Sequence, residues 1–199
     1  YEPHAPGEIA LRSHPVDVAR QLRAELAERT EVAGIEVLEA QLSHLAYSPE
    51  IAQAMLQRWS PRPVTVLCGP GNNGGDGWVA AAVLHRHGWP VRVHSLVPPE
   101  ALRGDASEAA RAWLAAAAEE GRPGWHPLTE ANPQSGELVV DALFGAGLNR
   151  ALDEPVHQLL ERAAMRHVPI VAVDVPSGVQ GDSGRSQGAV PCALTVTFC

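Results

Sequence analysis

The spacing of apolar positions changes character near residue 60. From residue 17 to about 46 it is helical. Val18, Leu22 and Leu26 share one face, Ile35, Leu38, Leu42 and Leu45 share another, and Gly34 marks a break between them. Ser48, Pro49 and Glu50 read as a helix start, with Ser48 as cap and Pro49 at the first position. The stripe of that third helix is Ile51, Met55 and Trp59. These helices either pack on the sheet or form a partner interface.

From residue 64 short apolar, β-branched runs alternate with helical stretches. Strands are expected over 64–67, 91–95, 138–142, 170–174 and 193–198, and helices over 75–87, 105–120 and 154–167. The first of these helices should bury Val79, Ala82 and Val83 and end at Gly88. The second should bury Ala109, Ala110, Trp113, Leu114 and Ala117 and stop at Gly121. The third should bury Val156, Leu159, Leu160 and Ala163. Residues 121–136, rich in Pro and Gly, read as a loop. Strand-then-helix units predict an α/β fold, with a mainly parallel sheet, right-handed crossovers and helices on both faces. One domain over 1–199 is expected, with an arm at 1–14, a helical part at 15–60 and a sheet core at 61–199.

Composition narrows the class without deciding the chemistry. With 199 residues, 45% hydrophobic and 19% charged, the chain can bury a sizeable core as a soluble globular domain. Its 15 Lys and Arg against 23 Asp and Glu give a net charge of −8, with no basic cluster. Nucleic acid is therefore not an expected partner. Cys68, Cys192 and Cys199 are odd in number and form no C-x-x-C, so neither a disulfide framework nor a zinc site is expected. A reducing cytoplasm suits them best. No apolar run approaches the roughly 18 residues of a membrane span, and no signal peptide is visible. The chain begins at Tyr1 rather than Met, which leaves an upstream segment open.

The chemistry gathers where strands end. After the first strand, Gly69, Gly71, Gly74, Gly75 and Gly77 are interleaved with Asn72, Asn73 and Asp76. A strand running through glycines into a helix start suits an anion, because backbone N–H groups come close to it. A tight turn needs fewer such residues than this. Gly69, Gly71 and Gly74 satisfy G-x-G-x-x-G, but no Gly-Lys-Ser/Thr follows, so this is not a Walker A loop. The next strand ends in His94 and Ser95, without the ribose-binding acid of a dehydrogenase.

Two further strands end alike. One gives Asp141 followed by Gly145 and Gly147; another gives Asp174 followed by Ser177 and Gly178. In parallel sheets these ends converge on one edge. Asn73, Asp141 and Ser177 are oxygen donors without nitrogen or sulfur, which suits a hard cation. One carboxylate among neutral donors favours a monovalent ion over magnesium. Asp174 then remains as a candidate general acid or base. Asp76, at a helix start, is either a cap or part of the site. Ser177 lacks the G-x-S-x-G elbow, and His85 and His87 point to different sides of their helix, so neither supports a nucleophile or a metal.

These motifs together resemble the NAD(P)H-hydrate epimerase family, the YjeF N-terminal domain. The matching pieces are the run from Val66 to Gly77, the run from Val139 to Leu148, the run from Val173 to Gly178, and the closing Leu-Thr-Val-Thr-Phe. Order and spacing agree over roughly residues 55–198. The resemblance implies a Rossmann-like three-layer sandwich that interconverts the S and R epimers of hydrated NADH and NADPH. It implies substrate contacts at Asn72, Asn73, Gly74, Gly75 and Asp76, at Gly145, Ala146, Gly147, Leu148, Asn149, Arg150 and Ala151, and at Asp174. It also implies a potassium ion on Asn73, Asp141 and Ser177. Asp174 is expected to be the catalytic residue.

The family's Met-Glu-Asn-Ala-Gly-like helix segment, which commonly lies beside the site and a dimer contact, has no clear counterpart. Residues 42–51 are the nearest match, and a homodimer is the partner the resemblance allows. Many bacterial members continue into an ADP-dependent dehydratase, so the chain resembles the first part of such a bifunctional protein. Relatives of this fold also serve as non-catalytic scaffolds. Against that reading stand the intact motif positions; against a nucleotide-dependent oxidoreductase stands the missing ribose acid.

Overall fold

The structure is a computed structural model that describes residues 48–181 and 183–197. The arm expected at 1–14 and the helices expected between 17 and 46 lie outside the described residues, as do Asp182 and the last two positions. In chain order the elements are α1 (Ser48–Arg58), β1 (Val64–Cys68), α2 (Asn72–Arg86), β2 (Val91–Ser95), α3 (Gly104–Glu119), β3 (His126–Pro127), β4 (Leu138–Ala142), α4 (Glu154–Met165), β5 (Ile170–Val173) and β6 (Leu194–Val196). Short 3-10 turns lie at Pro99–Ala101 and Leu128–Glu130. No described helix is long and apolar enough to cross a membrane.

The six strands form one sheet in the order β3-β2-β1-β4-β5-β6, and every pairing is parallel. The chain builds outward from β1 in one direction, then crosses to β4 and builds the other way. The loops after β1 and β4 therefore part company at the sheet edge, and the crevice between them is where such folds bind ligands. Alternate strand residues divide the core. Val64, Val66, Val140 and Val171 face Ile51, Met55, Trp78, Leu84 and Trp113 of α1, α2 and α3. Leu67, Val139 and Ile170 face Leu128 and the Val156, Leu159, Leu160 and Ala163 stripe of α4, as the spacing predicts.

Five expectations need correction. The helix expected from residue 75 begins at Asn72, so much of the glycine-rich stretch is the first turns of α2 rather than a loop. Val79 and Ala82 are only half-buried, whereas Trp78, Ala81 and Leu84 are buried, because α2 packs against α1, α3 and the sheet together. Ala109 and Leu114 are likewise half-buried on α3, where Ala106 joins the buried set. The loop expected at 121–136 contains β3, too short and too proline-rich to show a period, and Asp174 falls just beyond β5 rather than within it.

Candidate functional site

Glycines set how closely the site can close. A Cβ on Gly74 would sit 1.9 Å from the Gly69 carbonyl oxygen, and one on Gly77 would press on Ala142 and Cys68. Only glycine lets α2 lie this near the ends of β1 and β4. Gly75 faces Ala106 of α3 in the same way. Gly74 and Gly75 thus turn their Cα atoms into the protein; the Gly75 N–H donates to the Gly71 carbonyl at 3.1 Å, so of the two only the Gly74 amide is left for a ligand. Gly71 caps α2 without any side-chain capping bond, so the first N–H groups of the helix keep their hydrogen-bonding capacity. Gly71 and Gly147 differ from the packing glycines: a side chain there would meet nothing within 4 Å, and neither has positive φ.

Asp174 sits at the mouth of this crevice in an unusual backbone. Its φ is +67°, and the Val175 N–H donates to the Val173 carbonyl at 2.9 Å, so Asp174 is the centre of a three-residue γ-turn. Non-glycine residues rarely occupy this region, and it costs on the order of 1–3 kcal/mol. The turn is pinned from β6. The Asp174 N–H donates to the Val196 carbonyl at 2.8 Å, and Thr197 Oγ1 donates to the Asp174 carbonyl at 2.6 Å. The carboxylate Oδ2 accepts the Ala146 N–H at 2.8 Å. Among the described residues, Oδ1 has no hydrogen-bond partner. Asn73 Oδ1 and Asp174 Oδ2 both face the Cα of Gly145, where a Cβ would lie 3.4 Å from the first and 2.7 Å from the second.

One residue away, the same loop meets a buried pair. The Phe144 N–H donates to Ser177 Oγ at 3.0 Å. Ser177 Oγ donates to Asp141 Oδ1 at 2.6 Å, and the Ser177 N–H donates to Asp141 Oδ2 at 2.9 Å. Asp141 lies mid-sheet, between Leu67 and Ala172, and is 1% exposed. Burial pushes its carboxyl above the usual carboxylate range, opposed by the Ser177 hydroxyl and then by the Ser177 and Leu143 amides. No Arg or His pairs with it among the described residues. Asn73 Nδ2 is also buried, with no hydrogen-bond partner among the described residues.

The structure therefore brings Asn73, Gly145, Ala146 and Asp174 into one group and Asp141 and Ser177 into an adjoining one, linked through Phe144 and Gly145. Asp76 is half-buried. Asn72, Gly147, Asn149, Arg150 and Ala151 are exposed, and Leu148 is half-buried in a turn closed on the Gly145 carbonyl. Arg150 is engaged by Asp153 through two hydrogen bonds of 2.5 and 3.2 Å. Sequence reading passed over Thr197, the residue that ties down the Asp174 turn. The spacing places it inside a strand at 193–198, whereas β6 ends at Val196 and leaves the Thr197 hydroxyl free to reach back to the turn.

The comparisons with known proteins span most of the chain. A family model described as YjeF-related protein N-terminus matches residues 28–199. The bifunctional NAD(P)H-hydrate repair enzyme Nnr of Escherichia coli (strain K12) is 36% identical over 186 residues, covering 93% of this chain and 35% of that protein. The NAD(P)H-hydrate epimerase of Rhodobacter capsulatus is 38% identical over 188 residues, covering 88% of this chain and 79% of that protein. The crystal structure of yeast ynu0 superposes with a TM-score of 0.62 at 26% identity, over 90% of this chain and 80% of the other. The chain spans about a third of the length of the bifunctional relatives it matches. On a match that runs through every strand of the sheet, the chain belongs to the YjeF-related protein N-terminus family.

Proposed function

We propose that this chain interconverts the S and R epimers of hydrated NADH and NADPH. The observation that carries the reading is the placement of Asp174. Its carboxylate is fixed at the sheet edge by the Ala146 amide, beside Asn73, with one oxygen left for a substrate. The names of the relatives supply the substrate class. The reacting carbon of such a hydrate bears a ring nitrogen and a hydroxyl. It can invert by losing and regaining water or by ring opening and closure. Both routes put a proton on an oxygen and later remove it, which is work for a positioned carboxyl group. The open faces at Gly71 and Gly147 and the uncapped start of α2 suit the pyrophosphate.

A potassium ion fits the residues present. Asn73, Asp141 and Ser177 offer oxygen only, and Asp141 is a buried carboxylate with no cationic partner among the described residues. Such a group is costly to bury ionised without a counter-charge. Bound potassium would supply that charge and keep Asp141 ionised, leaving the acid–base work to Asp174.

The test is interconversion of purified S and R hydrates, with potassium and with tetramethylammonium in its place. The wild-type protein should equilibrate them faster with potassium. Asp174→Asn should lower the rate by roughly 10²–10⁴-fold with substrate binding kept. Near-normal turnover in that variant would remove Asp174 from the mechanism.

A further inference from the structure

A cavity of about 490 Å³ opens at the ends of β2 and β3, apart from the Asp174 group. Its size falls within the range of small-molecule pockets, about 300–1,000 Å³. Leu96, Val97, Trp125, Leu128 and Val156 give it apolar walls. Asp153 is its one charged lining residue among those described, and that carboxylate already holds Arg150. The Ser95 hydroxyl, also in the wall, is spent on the Val97 carbonyl at 2.7 Å. Walls of this kind take a flat, uncharged aromatic ring and offer nothing to a phosphate.

We infer that this cavity seats the adenine ring of the dinucleotide, as a second anchor distant from the reacting ring. The ligand follows from the function proposed above; the place follows from the cavity itself. Adjacent strands are about 4.8 Å apart, so the three steps from β5 to β2 cover about 14 Å along the sheet edge. A dinucleotide carries its two bases at opposite ends of a pyrophosphate, which spans such a gap. Between the two ends lie the exits of β1 and β4, with the open positions Gly71 and Gly147. The connection from β4 to α4 joins both ends physically. Ala146 binds Asp174, and Asp153, seven residues later, borders the cavity. With no Arg, Lys or His in the described wall, the 2′-phosphate that distinguishes NADPH stays outside, and the cavity itself accepts both dinucleotides.

Calorimetry on the full chain tests this with adenosine 5′-monophosphate as the probe and nicotinamide mononucleotide as the control. Thr129 is exposed at the rim, in the Leu128–Glu130 turn, so Thr129→Trp covers the mouth without touching the core. Binding of the adenosine probe by the wild type, weakened about tenfold or more in Thr129→Trp with the control unchanged, is the expected result. A circular dichroism melt matching wild type shows that the variant folds. An adenosine probe that fails to bind, or binds equally to both proteins, overturns the inference. So does an unchanged KM for the hydrates in Thr129→Trp. If the wild type binds the adenosine probe through this cavity but does not epimerise hydrates, the cavity assignment stands and the proposed reaction falls.

Discussion

Gly145 offers a way to move the carboxylate of Asp174 without changing its chemistry. The backbone of Gly145 lies outside the left-handed region, so alanine adopts it without conformational strain. The cost is one contact. A Cβ at Gly145 would lie 2.7 Å from Asp174 Oδ2, where ordinary contact begins at 3.4 Å, so the carboxylate has to withdraw by about 0.7 Å. That displacement strains or breaks the 2.8 Å bond from the Ala146 N–H. A misplacement of about 1 Å at a reacting group can cost about 10²-fold in rate. Gly145→Ala should therefore lose roughly 10- to 10²-fold in kcat for hydrate interconversion. Its stability should change by under about 1 kcal/mol, since the displaced atoms are side-chain ends. The assay is chromatographic separation of the two hydrates over time, with a thermal melt beside it. Gly71→Ala is the matched control, because its Cβ meets no protein atom and should raise KM rather than lower kcat. A folded Gly145→Ala protein with wild-type kcat would refute the placement of Asp174 at the reacting centre.

Two further outcomes follow from titratable groups shifted by burial or partial burial. His94 is 5% exposed, with Nδ1 hydrogen-bonded to the Pro127 carbonyl at 3.2 Å. Burial, and then the charges of His126 and Arg92, hold its pKa below the ordinary 6.5, against the pull of Pro127 and Glu130. As pH falls through about 6.5 the unfolded chain takes up this proton before the folded one does, so stability drops. Melts from pH 7.5 to 5 should show that drop, and His94→Gln should flatten it; an equal slope in both proteins would contradict the assignment. Burial also raises the Cys68 thiol, and burial together with Asp141 pushes Cys192 up to about 12. Iodoacetamide at pH 8 should modify neither thiol in the folded protein and both in urea, as peptide mass spectrometry would show. Rapid labelling in the native state would be inconsistent with the burial of Cys68, or with the raised thiol of the half-buried Cys192.

Strands were legible because both faces of the sheet are covered, which makes Val64–Cys68 and Leu138–Ala142 nearly continuous apolar runs, interrupted only by Thr65 and Asp141. The α4 stripe was legible for the opposite reason: one face buries and the rest is wet, so the period shows. The start of α2 was hidden because glycine and asparagine are poor helix formers. Their presence in a helix is explained only by the close approach of Gly74 to Gly69 and of Gly77 to Ala142, contacts that no local pattern encodes. The meeting of the strand-end loops was readable from topology. The γ-turn at Asp174 was not, since aspartate carries no preference strong enough to announce a φ of +67°. Neither was the cavity by Trp125, built from residues spread between β2, β3 and α4.

The left-handed turn at Asp174 sets two kinds of selection against each other. Glycine would relieve the backbone there while keeping the hydrogen bonds from its N–H to Val196 and from Thr197 to its carbonyl. A library randomised at this position and sorted for soluble expression should drift towards glycine. The same library sorted for hydrate turnover should return aspartate. Consensus or stability-guided redesign would in this way erase the residue on which the proposed chemistry depends while reporting an improved protein.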